Sequence, residues 1–367
     1  MTQVLCVAGA RPNFMKIAPV MAALAEAGIA AQLLHTGQHY DAAMSDSFFA
    51  DLGIPRPDHH LEVGSGSHAV QTAEVMKRFE PVLEAVQPQA VLVVGDVNST
   101  LACALVAAKR GVRVIHVEAG LRSYDRGMPE EINRVLTDQI SDLLFTTEKS
   151  ALANLVREGI DPARVAFVGN VMIDTLYRHL DRAVPASGTL GAALPAYAVL
   201  TLHRPSNVDH PDTLGALLDV VGEINRRLPV VLPLHPRTRA NIEKFGLTAK
   251  LDGLRLLPPV GYLEMLGLMR EAKLVLTDSG GIQEETTALG VPCLTLRENT
   301  ERPITLTEGT NTLVGANPAA IRAAFEDVMT SGGKAGRIPE NWDGRAATRI
   351  AHALHAWLPG QKGRRTA

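Results

Sequence analysis

The stretch Val91-Leu92-Val93-Val94-Gly95-Asp96, then a helical period over Ser99–Lys109, then Val112-Arg113-Val114-Ile115-His116-Val117-Glu118, decides the fold. Each apolar run has the length of a strand, and each ends at a turn residue or an acid. Near-continuous apolar strands alternating with helices specify a parallel sheet covered on both faces. The same pattern continues outward. The N-terminal half reads as strands near 3–8, 31–35, 91–95, 112–117, 143–147 and 165–169, with helices such as Ser99–Lys109, Glu130–Ile140 and Ala151–Glu158 between them. The C-terminal half reads as strands near 198–202, 230–234, 254–257, 274–278 and 292–296, with helices at Thr213–Arg226, Tyr262–Arg270 and Ile282–Leu289. Ala183–Ala196 is rich in Pro, Gly, Ala and Ser, carries no charge, and reads as a linker. The expected class is therefore α/β, with two doubly wound parallel-sheet domains, 1–182 and 183–342, and a ligand cleft between them. A last helix within 343–358, about Arg345–Trp357, is expected to return to the first domain, and the polar tail Gly360–Ala367 to fray. In such sheets ligands bind at the carboxyl ends of strands, so functional residues belong just after them.

Composition narrows the function. The 367 residues carry a formal net charge of −3, with 46% hydrophobic and 20% charged residues. That suits a large buried core and argues against disorder and against a nucleic-acid binder, which would show a basic excess. No apolar run reaches the roughly 20 residues that span a bilayer, so no membrane partner is expected. The opening run Val4–Ala8 has no basic stretch before it and does not read as a signal peptide. Cys6, Cys103 and Cys293 lie far apart in apolar runs, without CxxC or metal spacing. They read as small core residues of a reducing, cytoplasmic protein with no metal site.

The chemistry lies at strand ends. Gly9-Ala10-Arg11-Pro12-Asn13-Phe14-Met15-Lys16 is a strand, a turn and a helix start holding two cations. It is neither a P-loop nor a dinucleotide fingerprint. Arg11 and Lys16 can meet an anion there, or can be two solvated cations of a plain turn. Asp96 follows one strand and by itself reads as a helix cap. Glu118, before Ala119-Gly120-Leu121-Arg122, follows the next strand with no capping partner in view. Pro129-Glu130-Glu131-Ile132-Asn133-Arg134 is a sound helix start with acids at the positive dipole end. Taken together, Asp96, Glu118 and Glu130 are three carboxylates at switch positions of one sheet, where facing acids can divide into an acid and a base. In the second half, His203-Arg204 ends the first strand, and His235-Pro236-Arg237 follows the next with a structural or supporting role. Asp278-Ser279-Gly280-Gly281-Ile282-Gln283-Glu284-Glu285 runs from a buried strand through two glycines into a helix. Its free N–H groups suit a diphosphate, and Glu284 or Glu285 can accept from two ribose hydroxyls. Arg302 joins the same rim.

In order and spacing these segments resemble the non-hydrolysing UDP-N-acetylglucosamine 2-epimerase family over nearly the whole chain. Besides those quoted, Thr36-Gly37-Gln38-His39 and Thr300-Glu301-Arg302-Pro303 carry the resemblance. It implies a GT-B-like fold of two Rossmann-type domains, a UDP-sugar substrate, a homodimer, and no nicotinamide or other cofactor. The implied reaction inverts C2 of UDP-N-acetylglucosamine by eliminating UDP to a 2-acetamidoglucal and adding it back. By motif, the catalytic residues fall on Asp96, Glu118, Glu130, His203 and Arg134. UDP contacts fall on Arg11, Lys16, Ser279, Gly280, Gly281, Glu285 and Arg302. The resemblance does not say which carboxylate is the base. One departure stands out: Ser206 occupies the place of an acid in the family's His-Arg-x-Glu-Asn, the motif tied to activation by a second UDP-sugar. Competing readings are an epimerase of a modified UDP-sugar, a hydrolysing 2-epimerase, a GT-B glycosyltransferase and a non-catalytic UDP-sugar sensor. No acceptor groove is evident for a transferase, and every charged site residue is present, against a sensor.

Overall fold

Thirteen strands form two wholly parallel sheets among the described residues, 2–37 and 52–358 of a computed structural model, the side chain of Arg11 excepted. Gln38, His39 and the tail Gly360–Ala367 lie outside those residues. The first sheet contains β1 Val4–Ala8, β2 Ala31–His35, β3 His59–His60, β4 Ala90–Val94, β5 Arg113–Ala119, β6 Leu143–Thr146 and β7 Val165–Phe167, in the order 3-2-1-4-5-6-7. The second contains β8 Ala198–Thr201, β9 Val230–Pro233, β10 Arg255–Leu257, β11 Leu274–Thr277, β12 Cys293–Thr295 and β13 Asn311–Leu313, in the order 10-9-8-11-12-13. Both are Rossmann-type sheets. The strand order reverses beside β1 and β8, so the switch points lie between β1 and β4 and between β8 and β11. Among the described residues no helix is long and apolar enough to cross a membrane.

The central strands are buried throughout because helices cover both faces. The second sheet shows the two-residue alternation plainly. Ala198, Leu200, Leu274 and Leu276 pack into one core layer, and Val199 and Val275 into the opposite one. Cys6, Cys103 and Cys293 are free thiols inside these cores, and burial pushes all three up from the ordinary thiol range. The edge strands β3 and β13 escape the sequence reading. They are two and three residues long, and His-His and Asn-Thr-Leu carry no apolar run.

The chain forms two compact units, Met1–Arg178 with Glu340–Ala367, and His179–Pro339. The break thus falls before the expected one. Ala183–Ala196 is not a free linker, because residues Ala186–Leu190 form a short helix whose Ala186 and Leu190 are buried in the second unit's core. The N–H of Val184 also donates to the carbonyl of Leu263 at 3.1 Å.

In the first unit, helix Ala346–Trp357 packs on helix Arg11–Glu26. Its first turn is capped across the chain by Asp174, whose carboxylate accepts from the N–H groups of Ala346 at 3.1 Å and Ala347 at 2.7 Å. Burial raises the Asp174 carboxyl to about 6, against the pull of those two N–H groups. The indole of the preceding Trp342 donates to the carbonyl of Thr147 at 3.0 Å. Asp174→Ala orphans two buried donors and is expected to cost about 2 kcal/mol. Both tryptophans, Trp342 and Trp357, lie in this returning segment, so urea unfolding followed by their fluorescence measures it directly. An unchanged midpoint would show that the cap contributes nothing.

Candidate active site

In the first unit the expected residues gather at the ends of β4 and β5. Gly95 leaves β4 with φ of +65°, and Asp96 follows. The Asp96 carboxylate pairs with the guanidinium of Arg134, with Arg134 Nε at 3.1 Å. The side chain of Asn133 holds the Asp96 carbonyl at 2.9 Å. Next to it, Glu118 is buried and sits at φ of +73°, where the pairing of β5 with β6 slips between Val117 and Ala119. A glutamate at positive φ inside a bulge is strained, and the surrounding strands must impose it. Its Oε2 lies 2.5 Å from Nζ of buried Lys16. That ammonium also passes close over the Gly95 turn, 3.1 Å from the place a Cβ would take. Lys16, expected at the nucleotide, is therefore engaged by a carboxylate of its own unit.

Glu130 begins helix Pro129–Ile140 and is half-buried. The buried acid on that turn is its neighbour Glu131. Glu131 accepts from the N–H groups of Ser123 and Tyr124, both at 2.9 Å, and from Arg134 at 2.7 Å. Glu131 thus anchors the loop after β5 and braces Arg134 from the side opposite Asp96. The tandem acids of the motif are a signal that could have pointed to this division of labour. Arg11 begins helix Arg11–Glu26, and its side chain lies outside the described residues.

In the second unit His203 follows β8 and Asp278 follows β11, across the switch point. Nδ1 of His203 lies 2.7 Å from Oδ1 of fully buried Asp278. The same carboxylate accepts from the backbone N–H of His203 at 3.0 Å, of Arg204 at 2.9 Å and from Asn207 at 3.2 Å. Burial pushes the Asp278 carboxyl up, but His203 and those N–H groups outweigh it and hold it below the usual range. With Nδ1 occupied and its side chain 42% exposed, His203 presents Nε2 outward. Asp278 is the functional residue that the sequence reading quoted without a role. His235 caps its own helix, with Nδ1 accepting from the N–H of Arg237 at 3.2 Å, and faces His203 at 5.8 Å between rings. Burial and the neighbouring His203 lower its pKa.

Ser279 is the N-cap residue of helix Gly280–Leu289, with Gly280 and Gly281 in the first turn. A Cβ on Gly280 would stand 2.6 Å from the Arg302 guanidinium, so a larger residue there would have to push that side chain aside. Arg302 is buried and pairs with Glu301 and, at 3.0 Å, with Glu284. It underlies the turn. Gln283 ties the turn down, donating to the Ser279 carbonyl at 3.2 Å and accepting from Thr300 at 2.7 Å. Glu285 is buried and accepts from the Tyr262 hydroxyl at 2.9 Å. Burial raises its carboxyl to about 7, with the Tyr262 hydrogen bond opposing and the charge of Glu284 assisting. Ser206 is exposed on a short helix, Pro205–Val208. Among the described residues no cluster of three His, Cys, Asp or Glu could hold a metal ion.

The sequence pattern of the UDP-N-acetylglucosamine 2-epimerase family matches residues 22–355. The chain is 42% identical to a UDP-N-acetylglucosamine 2-epimerase of Methanococcus maripaludis, over 88% of this chain and 90% of that one. It is 44% identical to a UDP-2,3-diacetamido-2,3-dideoxy-D-glucuronate 2-epimerase of Pseudomonas aeruginosa, over 96% of this chain and 99% of that one. The crystal structure of Methanocaldococcus jannaschii UDP-GlcNAc 2-epimerase in complex with UDP-GlcNAc and UDP matches with a TM-score of 0.89 and 40% identity, over 97% of this chain and all of that one. The two Rossmann-type sheets are those of this GT-B-like fold. Two sheets with acids at the switch point of one and a histidine–aspartate pair at that of the other, matched from end to end by such relatives, place this chain in the UDP-N-acetylglucosamine 2-epimerase family.

Proposed function

We propose that this protein is a non-hydrolysing epimerase that inverts C2 of UDP-N-acetylglucosamine, giving UDP-N-acetylmannosamine. The observation that carries this reading is the pair of carboxylate–cation contacts at neighbouring strand ends, Asp96 with Arg134 and Glu118 with Lys16. The C2 hydrogen of a sugar is weakly acidic, so its removal must be coupled to departure of UDP from C1. Inversion then requires a proton to leave one face and another to arrive on the opposite face, which two fixed carboxylates supply. Asp96, Glu118 and Glu130 serve the hexose, Arg134 orients Asp96, and Lys16 fixes the Glu118 carboxylate in place. The second unit takes the nucleotide. The N–H groups of the Ser279-Gly280-Gly281 turn receive the diphosphate, braced by Arg302, while His203 Nε2 and Arg11 stabilise the charge that develops on it. Elimination and re-addition of UDP are redox-neutral and call for no hydride acceptor.

A second reading has its own support. The 44%-identical relative from Pseudomonas aeruginosa acts on a diacetamido uronate. One experiment addresses both. The purified protein is incubated in D2O with either UDP-sugar alone and followed by NMR. Deuterium at C2 with both UDP-N-acetylhexosamines present is the expected result. Exchange confined to the uronate substrate would move the assignment to the second reading. Free N-acetylmannosamine would make the protein a hydrolase, and no exchange with any UDP-sugar would overturn the proposal.

Glu285 is assigned to the ribose hydroxyls, which an ionised carboxylate accepts from best. Its carboxyl stands near 7. Protonation on the acid side of that value removes the acceptor, so UDP affinity should rise from about pH 6 to about pH 8 and level off above. Calorimetric titration with UDP checks this. Glu285→Gln should flatten the profile, and a wild-type profile already flat would remove Glu285 from the ribose.

A homodimer is part of the same reading. Ile132 and Leu136 on one helix of the first unit are 43% and 46% exposed, and Leu152 and Val156 are exposed on a second. Ile132 and Leu136 also line a groove of about 300 Å³ with Arg122, Tyr124 and Glu158. Such a patch suits an interface between copies. A sedimentation mass of one chain at micromolar concentration would count against it.

A further inference from the structure

His116 lies in the middle of β5 with no exposed surface, and neither the motif reading nor the proposed mechanism gives it work. Its ring joins three segments. Nε2 is 2.8 Å from the carbonyl oxygen of Gly95, and Nδ1 is 2.6 Å from Oδ1 of buried Asp138. A carbonyl carries no proton, so Nε2 must donate. Asp138 turns its other oxygen to the Arg122 guanidinium at 2.7 Å and to the N–H of Gly120 at 3.1 Å. Both are donors and one is a cation, so Asp138 is held as a carboxylate and can only accept. Nδ1 must then donate as well. Arg122 is in turn paired with Glu158 at 2.8 Å. Two cations and two carboxylates thus close a balanced cluster, buried except for Glu158, and the ammonium of the Lys16–Glu118 pair also packs against Gly95.

The position of this cluster gives it a consequence. Gly95 and Gly120 both stand at positive φ, and they bracket the two reacting segments, since Asp96 follows the first and the strained Glu118 precedes the second by two residues. His116 grips the Gly95 carbonyl directly and the Gly120 N–H through Asp138. Glycine adopts either sign of φ with equal ease, so those turns keep their shape through bonds from elsewhere in the fold. His116 and Asp138 act beside the Gly95 N–H, which donates to the Val117 carbonyl at 3.0 Å, and Asn154, which donates to the Gly120 carbonyl at 2.9 Å.

We propose that His116 is a positioning residue, carrying a proton on each ring nitrogen, that fixes the spacing of the Asp96 and Glu118 carboxylates for proton transfer at C2. This rests on the epimerase reading above. Misplacement of a catalytic group by about 1 Å can cost about 100-fold, so His116→Gln, which keeps a neutral donor, should lower kcat about 10- to 100-fold. UDP affinity should stay within about twofold, because the nucleotide residues other than Arg11 belong to the other unit. Unchanged kcat, or an equal loss of UDP affinity, would overturn the positioning role. The protonation state is tested on wild-type protein without substrate. With 15N-labelled histidine, one buried ring should show two slowly exchanging N–H protons at assay pH. A set of spectra in which every buried ring keeps one bare nitrogen would overturn the proposal even if the variant failed to fold. If the wild-type protein turns over no UDP-sugar, the functional reading fails, and the NMR measurement still decides the state of His116.

Discussion

Glu118→Gln should slow inversion at C2 of UDP-N-acetylglucosamine by about 10²- to 10⁴-fold, the range for loss of a positioned acid or base. Gln has the shape of Glu and can still accept from Lys16, but it cannot carry a proton to or from carbon. The loss is expected whether Glu118 removes the C2 proton or returns one, because inversion needs both steps. UDP binding should be unchanged, since Ser279, Gly280, Gly281 and Glu285 lie in the second unit. The variant will also be less stable. Lys16 is 6% exposed, and removing the charge of its partner leaves a buried ammonium without an anion, a loss of about 3–5 kcal/mol when a buried pair is broken. Inversion rates must therefore be measured well below the melting transition that tryptophan fluorescence reports. A folded Glu118→Gln protein that inverts C2 at the wild-type rate would end the role given to Glu118.

The second large effect concerns Asp278→Asn. The Asp278 carboxylate accepts from His203 Nδ1 and so fixes the tautomer that presents Nε2. In the variant one side of the group becomes an amide N–H₂, a donor. Its carbonyl oxygen can satisfy the backbone N–H groups of His203 and Arg204, while the amide meets Nδ1 and forces that nitrogen to accept. The ring then cannot become an imidazolium as charge builds on the departing diphosphate. The analogous exchange in the serine-protease triad lowers kcat by about 10⁴, so a fall of roughly 10²- to 10⁴-fold is expected here with little change in fold. The pattern expected is a loss in kcat with UDP affinity nearly kept, together with a changed His203 ring-nitrogen spectrum. Unchanged kcat would reduce Asp278 to a turn-forming residue.

Much of this protein is written locally. Runs such as Val91–Val94 and Leu274–Thr277 are apolar on both faces, and only a buried parallel strand uses such a run, so eleven of the strands and their helices follow from periodicity. What escaped did so for identifiable reasons. β3 and β13 are edge strands too short to carry a pattern, and they form because a neighbour offers its hydrogen bonds. Ala183–Ala196 has the composition of a linker yet buries Ala186 and Leu190, because small residues fit a crowded surface as readily as they make a flexible chain. Strand ends that carry acids, cations and glycines could be listed from the motifs. Their partners could not, since about a hundred positions separate Lys16 from Glu118 and 172 separate Asp174 from the helix beginning at Ala346.

The order of residues by itself settled which segments are strands, that the sheets are parallel and covered, and that polar chemistry gathers at their carboxyl ends, because side-chain period and burial are nearest-neighbour properties. Only the tertiary structure decided that Glu118 is bent into positive φ, that Asp278 rather than His235 governs His203, and that His116 lies between two acceptors. Those facts depend on which distant groups share a low-dielectric interior, where every donor and every charge must find its counterpart, and chain spacing carries no record of that pairing.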